Sequence, residues 1–403
     1  MSRRVVITGQ GAICALGRGA DVVQNAMVEG QIGIAPMDFP DVERLHVNIG
    51  AQIKDYDSAA HFTKQQISLY DPFTQFALLA AQEAIDQSGL AFEGHLAESA
   101  GVILGTAGGG LQTQEENYRN VFLDGKNRVH PFVVPRLMNN SAASHISMTH
   151  NLMGPSFTVA SACASSNHAI AQATDMVRLG HCDAMVTGGS DSMLCFGGIK
   201  AWEGLRVMSK DGCRPFCATR NGMVQGEGAA IFVIEEYQHA RARGADILAE
   251  IAGSAMSSDA SDIVTPNQDG AERAMRGALR SAKVNPDDIG YINAHGTGTT
   301  ANDKTEIAAI KSVFGAAAAG LRVSSTKSMH GHLIGGTGAV ELLAIIKTLR
   351  DGVVPPTVGY QKADPDCDLN IVPNVAQAAK VKAALSNAFA FGGLNAVLAL
   401  RAT

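Results

Sequence analysis

One cysteine stands where it could act as a nucleophile. Cys163 ends a run of small residues after the partly β-branched segment 157–159, and a helical pattern continues to Leu179, where Gly180 closes it. This order predicts a strand, a sharp turn and a helix with the thiol at its entrance. The unpaired N–H groups and partial positive charge of a helix N-terminus favour a thiolate over a thiol. The alternative is a buried, unreactive cysteine, a common state of a free thiol.

A cysteine nucleophile needs a base or a charged partner that is near in space but can be distant in sequence. His295 and His332 lie in glycine-rich turns after predicted strands, and Lys327 stands five residues before His332. Either histidine alone could be a hydrogen-bonded turn residue. Together they predict a site to which one half of the chain contributes the cysteine and the other half contributes both histidines.

Two other kinds of site fit these segments less well. The segment 296–301 has the glycine spacing of a dinucleotide-binding turn, but it lacks the acidic residue about 20 positions later that would bind the ribose. Cys213 with Cys217, or His330 with His332, could bind a metal, yet neither pair has further ligands at suitable spacing. We therefore expect neither a metal nor a cofactor.

Composition sets limits on the class of protein. The chain has 403 residues, of which 46% are hydrophobic and 17% charged, so it is long enough for two domains with an ample core. Its net charge of −6 argues against a nucleic-acid partner. Seven irregularly spaced cysteines favour reduced thiols and a cytoplasmic location. The sequence has neither a signal-peptide pattern nor a run of 18 apolar residues, so we expect no membrane association.

The elements that position the candidate residues follow from hydrophobic periodicity and turn residues. Strands alternate with helices, which implies mixed or parallel sheets covered by helices, with sites at the C-terminal ends of strands. We predict strands at 4–9, 101–105, 157–159, 183–188, 229–235, 247–253, 289–294, 321–325, 382–387 and 396–400, and helices at 21–29, 71–88, 115–123, 140–150, 164–179, 271–282, 305–314 and 333–349.

The two parts of the chain show the same order of predicted elements. A helix and a strand ending at Gly105-Thr106 in the first part correspond to a helix and a strand ending at His295-Gly296-Thr297 in the second. This predicts an α/β fold of two duplicated βαβ-type halves, residues 1–245 with the nucleophile and residues 246–403 with both histidines.

Four blocks of residues identify a family. The chain resembles an elongating β-ketoacyl-acyl-carrier-protein synthase of type II fatty-acid and polyketide systems, within the thiolase-like superfamily. The resemblance covers nearly the whole chain. One cysteine with two histidines separates this group from degradative thiolases, which carry a second active-site cysteine, and from initiating synthases, which carry Cys-His-Asn. The blocks are Val159–Cys163, Asn293–Thr299, Lys327–His332 and Phe391–Asn395.

The resemblance implies a layered α-β-α-β-α architecture and a decarboxylative Claisen condensation that needs no cofactor. Cys163 would hold an acyl group as a thioester. His295 would assist decarboxylation of malonyl-acyl-carrier-protein, while His332 would donate a hydrogen bond to its thioester carbonyl. Backbone N–H groups of Cys163 and Phe391 would form an oxyanion hole.

The same resemblance assigns supporting roles. Lys327 would orient and polarise the site, paired with Glu306 or Asp303, and Glu341 would lie below it as a supporting acid. Phe391 would act as a gate between the two substrates. The remaining residues implied are the hinge glycines Gly392 and Gly393, the supporting Asn395, and Thr297 and Thr299, which would bind the pantetheine arm.

The sequence departs from the family pattern at two places. Ala390 stands where the gate segment usually has a glycine, which limits backbone freedom and predicts slower or altered gate motion. Gly108 stands where a bulky aliphatic residue often lies at the acyl pocket. The missing side chain predicts a longer or wider pocket, tolerance for long or unusual acyl chains, and a possible role in specialised acyl or polyketide synthesis.

The implied partners are an acyl carrier protein and a second copy of the chain. Carrier proteins are acidic, so an acidic enzyme must meet them through a local basic patch. The candidates, each of which could equally be an ordinary surface charge, are Lys64, Lys126, Arg128 and Arg206. The segment 131–135 and the helix at 139–150 could contribute to a homodimer.

Two other functions remain open at this point. One is a non-catalytic partner subunit like a chain-length factor, although such subunits lack the nucleophile. The other is a cysteine acyltransferase or thioesterase that uses the same thiol without condensation.

Overall fold

The computed structural model describes residues 3–403. Within them, ten strands of three or more residues form two sets of five. The first set consists of β1 (Val5–Cys14), β2 (Ala100–Gly105), β3 (Ser156–Val159), β4 (Ala184–Asp191) and β5 (Gly228–Glu236). The second set consists of β6 (Ala249–Ser258), β7 (Ile289–Asn293), β8 (Arg322–Ser324), β9 (Ala383–Ala390) and β10 (Leu394–Arg401).

The two sets repeat one topology. The first has the order β3-β2-β4-β5-β1 and the second the order β8-β7-β9-β10-β6. When the strands of each set are numbered one to five along the chain, both sets have the order 3-2-4-5-1. The directions also match, because the first three strands of each order are parallel and the last two run antiparallel to their neighbours. The sets join along β1 and β6 through the pairs Val6–Glu250 and Ile7–Ala249.

The helices form three layers around these sheets. They are α1 (Ala20–Glu29), α2 (Lys64–Leu69), α3 (Pro72–Ser88), α4 (Gly94–Glu98), α5 (Leu111–Phe122), α6 (Val133–Leu137), α7 (Ser141–His150), α8 (Ser165–Arg178), α9 (Phe196–Gly204), α10 (Tyr237–Ala242), α11 (Gln268–Ala282), α12 (Thr300–Phe314), α13 (Lys327–His330) and α14 (Thr337–Asp351). Helices α3 and α7 pack on the first sheet, α11 packs on the second with α12 beside it, and α8 and α14 lie between the sheets. This is the layered α/β architecture that the sequence predicts.

The local sequence explains the main helices. Asp71 caps α3 by accepting the N–H of Phe73 at 3.2 Å, and Pro72 occupies the first helical position, where its missing N–H costs nothing. Helix α14 has buried apolar residues on all sides because sheets lie on both of its faces.

The structure differs from the prediction at several elements near the site. Helix α12 begins at Thr300 rather than at 305, and α13 is absent from the prediction. Helix α9 is absent from the sequence-based prediction because its three glycines and mixed composition hide the helical pattern. Helix α14 begins at Thr337 rather than at 333, because residues Ile334–Gly336 form a 3₁₀ turn first. In residues 3–403 no helix combines the length and the apolar character needed to cross a membrane.

The fold brings the candidate residues to one edge. Cys163 follows β3, His295 follows β7, His332 follows β8 and Phe391 follows β9. Each stands beyond the C-terminal end of its strand, which is where sites form in parallel sheets.

Candidate active site

The predicted nucleophile stands on a strained turn. Ala162 adopts a left-handed backbone conformation with φ of 49°, which is unfavourable for a residue with a Cβ. The Ser165 hydroxyl donates to the carbonyl of Ala162 at 2.6 Å and accepts the N–H of Ser161 at 2.9 Å. These bonds hold Cys163 just before helix α8 begins.

Three potential reacting groups converge at this point. One donor atom from each of Cys163, His295 and His332 lies within 4.8 Å of the other two. The three residues are 6%, 4% and 1% exposed. The imidazole rings meet edge to face with centroids 5.5 Å apart. The structure therefore brings together the cysteine and the histidines that the sequence places in different halves.

The hydrogen bonds of His332 define its tautomer. The N–H of Ile334 donates to Nδ1 at 3.2 Å, and the Thr337 hydroxyl lies 2.8 Å from the same nitrogen. Nδ1 is therefore an acceptor and the ring proton is on Nε2. To reach Nδ1, the β-branched Ile334 adopts a φ of 51°, a strained conformation that costs about 1–3 kcal/mol. Among the residues described, Nε2 has no partner, so it is free to donate to a substrate oxygen.

Both histidines are neutral. Burial and then the Lys327 ammonium hold the pKa of His295 and of His332 well below the ordinary value of 6.5. Each ring can therefore donate a hydrogen bond near pH 7 without carrying a charge.

Lys327 has a different partner from the one that the sequence predicts. Its ammonium lies 2.5 Å from the Glu341 carboxylate and also donates to the carbonyl oxygen of His295. Lys327 and Glu341 are each 1% exposed. Burial raises the pKa of the Glu341 carboxyl to about 7, and the neighbouring ammonium opposes that rise. The predicted pairing of Lys327 with Glu306 or Asp303 is wrong.

Glu306 and Asp303 instead hold the backbone of the histidine loop. The Glu306 carboxylate accepts the N–H groups of His295 at 2.9 Å and Gly296 at 2.7 Å, and Asp303 accepts that of Gly298 at 3.2 Å. Both acids lie in the first two turns of α12, which follows the loop directly, so their side chains reach back to its amides. They position His295 rather than Lys327.

Burial dominates the ionisation of Cys163. It raises the pKa of the thiol to about 12, although the Lys327 charge and the N–H groups of Phe391 and Cys163 act in the opposite direction. The helix entrance predicts a favoured thiolate, but the cysteine precedes the first helical residue and is almost enclosed. The thiol is therefore protonated in the free protein near pH 7.

We expect the alkylation rate of Cys163 by iodoacetamide to rise about tenfold per pH unit between pH 7 and pH 10, because the thiolate fraction grows with pH below a raised pKa. Mass spectrometry of the Cys163 peptide gives the rate, and N-acetylcysteine, which levels off near its lower pKa, serves as the control. A plateau close to pH 7 would show a preformed thiolate and contradict the expectation.

The segment predicted to act as the gate, Phe391–Gly393, forms a 3₁₀ turn, and Phe391 lines the same cavity as the cluster. Gly392 and Gly393 have φ of 81° and 68°, and a Cβ on Gly393 would lie 2.5 Å from the Cβ of Asp259. The N–H of Asp259 donates to the Gly393 carbonyl at 2.9 Å, and Asn395 Nδ2 donates to the Asp259 carboxylate at 2.7 Å. Ala390 is extended, with φ of −108°, so its side chain causes no strain in this position.

A cavity of about 130 Å³ leads to the cysteine. Its lining includes Cys163, both histidines, Phe391 and the predicted pantetheine-binding threonines, Thr297 and Thr299. The two threonine hydroxyls lie 2.9 Å apart.

The space expected beside Gly108 is occupied. A Cβ built on this glycine would lie 2.8 Å from the Met193 side chain, so the flexible methionine fills the volume that a bulky residue at position 108 would take. The prediction of a wider pocket from Gly108 alone is therefore wrong for this conformation. Met193 packs with the apolar cluster that contains Cys163.

Replacing Met193 with alanine is expected to extend the range of acyl chains loaded on Cys163 to longer chains, because it removes the side chain that fills the space beside Gly108. The measurement is acylation rate against chain length, with Leu205→Ala, an exposed apolar residue, as the control. An unchanged chain-length profile would contradict this assignment.

One carboxylate that the sequence does not single out connects the two halves here. Asp191 accepts the N–H groups of Ala107 at 2.9 Å and Gly108 at 3.0 Å, and that of Gly335 from the histidine side at 2.7 Å. It lies three residues after the predicted strand at 183–188, and in the structure it is the last residue of β4. Trp202 was also missed, although it is the single tryptophan of the chain and lines the cavity.

The predicted carrier-binding residues are exposed, but they do not share one environment. Arg206 is next to Val207, which lines the cavity. Lys126 lies 3.0 Å from the Asp124 carboxylate, which offsets its charge. Lys64 begins α2, and Arg128 follows α5. Their role stays a prediction.

The cysteine and two histidines also form a donor set that a metal ion could use. Lys327 opposes this use, because its positive charge acts directly on all three groups. The arrangement suits anionic intermediates better than a divalent cation.

Known proteins match this chain along its whole length. Family models described as the N-terminal and C-terminal domains of beta-ketoacyl synthase match residues 2–240 and 248–361. Nodulation protein E of Rhizobium leguminosarum bv. trifolii is 49% identical, with 100% of both chains covered. The 3-oxoacyl-[acyl-carrier-protein] synthase 2 of Staphylococcus aureus (strain N315) is 39% identical, covering 99% of this chain and 98% of the relative.

Solved structures agree with these matches. The ishigamide ketosynthase/chain length factor superposes with a TM-score of 0.95 at 34% identity, with 100% of both chains covered. A type II polyketide ketosynthase in complex with its acyl carrier protein, AntDE:AntF, superposes with a TM-score of 0.89 at 29% identity, again over 100% of both chains.

Proposed function

The chain belongs to the β-ketoacyl synthase family, and we propose that it condenses an acyl group held on Cys163 with malonyl-acyl-carrier-protein. The products are β-ketoacyl-acyl-carrier-protein and carbon dioxide. The observation that carries this proposal is the buried cluster of one cysteine and two neutral histidines at the end of a gated cavity.

The first half-reaction transfers the acyl group. The Cys163 sulfur attacks the thioester carbonyl of the acyl carrier, and its proton passes through His295 to the departing carrier thiolate. The C–S bond to the carrier breaks as the C–S bond to Cys163 forms. The N–H groups of Cys163 and Phe391, which already act on the sulfur, stabilise the oxyanion.

The second half-reaction forms the carbon–carbon bond. The malonyl carboxylate leaves as carbon dioxide, and its electron pair becomes the enolate of the carrier thioester. His332 donates from Nε2 to the enolate oxygen, His295 assists, and the Lys327 charge stabilises the anion. The enolate carbon then attacks the acyl carbonyl and releases the Cys163 thiolate.

Carbon dioxide release from malonyl-carrier protein, with and without an acyl donor, tests the function. We expect release that depends on the acyl donor and stops after alkylation of Cys163. Free acid without carbon dioxide would support a thioesterase instead, and product formation only with a second, catalytic subunit would support a chain-length-factor role.

Carrier recognition is proposed to use Arg206 most directly, because it is exposed, is next to the cavity-lining Val207 and forms no ion pair among the described residues. Lys64, Lys126 and Arg128 would extend the basic surface. The AntDE:AntF complex provides a ketosynthase with a bound carrier protein as the precedent.

Arg206→Glu is expected to raise KM for the carrier substrate about three- to tenfold at low salt with little change in kcat, because charge complementarity acts mainly on encounter. Lys126→Glu, at a lysine already paired with Asp124, is the control and should have a smaller effect. An unchanged KM for Arg206→Glu at low salt would remove this residue from the carrier surface.

A homodimer is supported by an exposed apolar face. The open edge of β3 ends the first sheet, and large apolar side chains are exposed nearby in sequence. They are Phe122, Leu123, Phe132, Val134, Met138, Met148 and Phe157. A second copy of the chain would cover this face, since open edges and apolar patches of this kind are seldom left exposed.

The remaining assignments are also proposals. The halves would divide between residues 245 and 246, in the connection between α10 and β6. A cytoplasmic location is supported by the seven cysteines, all of which are free. The greater identity to nodulation protein E than to synthase 2 favours a specialised acyl product over primary fatty acid.

A further inference from the structure

The gate phenylalanine is stacked against an indole. The ring of Phe391 lies 5.8 Å from that of Trp202, with an angle of 23° between the planes. This is the offset stacked arrangement that aromatic pairs prefer. Both side chains are half-buried, and both line the cavity that ends at Cys163.

Trp202 belongs to a firmly held element. Next to it, the Glu203 carboxylate accepts the N–H groups of His46 and Val47, the latter at 2.9 Å, and pairs with Lys200 at 2.8 Å. These contacts fix the C-terminal end of α9 to the loop at residues 45–47.

The other end of α9 is held as well. The N–H of Gly197 donates to the Glu115 carboxylate at 2.6 Å, and the guanidinium of Arg44 lies 4.6 Å from the centre of the Phe196 ring. Trp202 therefore belongs to a helix whose two ends are both held by contacts with other segments.

Phe391 lies on a short turn rather than on a helix. It begins a 3₁₀ turn that continues through two glycines with positive φ, and the turn is connected to the loop at residues 259–263 by backbone hydrogen bonds. The stack therefore joins a fixed helix to the segment that would move if Phe391 acts as the gate. It also holds the Phe391 N–H, one of the two proposed oxyanion donors, beside the sulfur.

We propose that Trp202 is a positioning residue that holds the gate closed in the free enzyme, and that the Trp202–Phe391 stack breaks when an acyl chain occupies Cys163. This inference deepens the proposed function and rests on Phe391 as the gate. It has a direct spectroscopic consequence, because Trp202 is the single tryptophan in the chain. Its fluorescence reports on the gate with no background from other indoles.

The first test uses alkylating probes, so it does not depend on condensation activity. Labelling Cys163 with N-octyl iodoacetamide should shift the emission of Trp202, whereas labelling with iodoacetamide, whose small adduct fits under a closed gate, should not. Phe391→Leu should show the shifted emission before labelling and little further change. Identical emission before and after octyl labelling would overturn the proposal.

The second test measures gate closure by rate. In Trp202→Ala, the alkylation rate of Cys163 by N-octyl iodoacetamide should rise about two- to tenfold, the range expected for one aromatic pair. Trp202→Phe, which keeps an aromatic stack, should stay close to the wild-type rate. Equal rates in all three proteins, with unchanged Tm, would overturn the proposal.

These outcomes separate the inference from the function. If the protein releases no carbon dioxide but shows the octyl-dependent shift, the role of Trp202 is supported and the condensation is contradicted. If it condenses its substrates but shows no shift, the condensation is supported and the role of Trp202 is contradicted.

Discussion

Replacing Cys163 with alanine is expected to lower the rate of condensation by at least about 10⁴-fold, because it removes the atom that carries the acyl group. The loss should appear in both half-reactions, as absent acyl labelling and as absent β-ketoacyl product. The fold should remain, since alanine fits a site where the thiol makes no structural bridge.

The control is Cys182→Ala, which removes another buried thiol outside the cluster. It should retain acyl labelling and product formation. Acyl labelling that persists in Cys163→Ala, or is lost in Cys182→Ala alone, would contradict the assignment of the nucleophile.

Replacing Lys327 with methionine is expected to destabilise the protein by about 3–5 kcal/mol at pH 8 and to remove most of the activity. The substitution leaves the Glu341 carboxylate buried without its counter-charge. Thermal or denaturant unfolding measures the stability, and product formation measures the activity.

The stability loss has a defined pH dependence. The folded-state pKa of Glu341, already about 7 with Lys327 present, rises further without the ammonium, while the unfolded value stays near 4.5. Between pH 4.5 and about pH 7 the folded-state carboxyl is protonated in both proteins, so both depend on pH alike. The loss relative to the wild type is therefore smaller at pH 5 and grows as pH rises above about 7, the folded-state pKa of Glu341 in the wild type.

A double substitution separates stability from catalysis. Lys327→Met/Glu341→Gln carries no charge at either position of the pair, so it should recover most of the stability while remaining inactive. A double variant as unstable as Lys327→Met would contradict the pairing. Full activity in Lys327→Met would contradict the role of its charge in stabilising the enolate.

The sequence predicts the catalytic cluster because its members follow strands. Turn glycines and β-branched runs mark the ends of β3, β7 and β8, and the α/β topology requires those ends to share one edge. Cys163, His295 and His332 could therefore be placed together without knowledge of a single contact.

Contacts between side chains could not be predicted in the same way. Lys327 has acidic neighbours at several sequence distances, and the choice of Glu341 depends on how α14 packs between the sheets. The ionisation of Cys163 depends on burial, which outweighs the helix terminus that the sequence reveals. Met193 fills the space beside Gly108 from a different loop, so the glycine alone is misleading.

Helix α9 shows a further limit. Its glycines lower its helix propensity, and it is stabilised by contacts with distant residues such as Glu115. Trp202 could not be placed against Phe391 until that helix was known.

The most direct test of the central claim is the fate of an acyl group loaded on Cys163. The acyl-enzyme is formed from an acyl carrier protein, desalted, and treated with malonyl-carrier protein, and the Cys163 peptide, the products and carbon dioxide are measured by mass spectrometry. We predict that the acyl mass leaves Cys163 and that each acyl group yields one β-ketoacyl-carrier protein and one carbon dioxide. Discharge as free acid without carbon dioxide, or no acyl mass on Cys163 at any stage, would contradict the account.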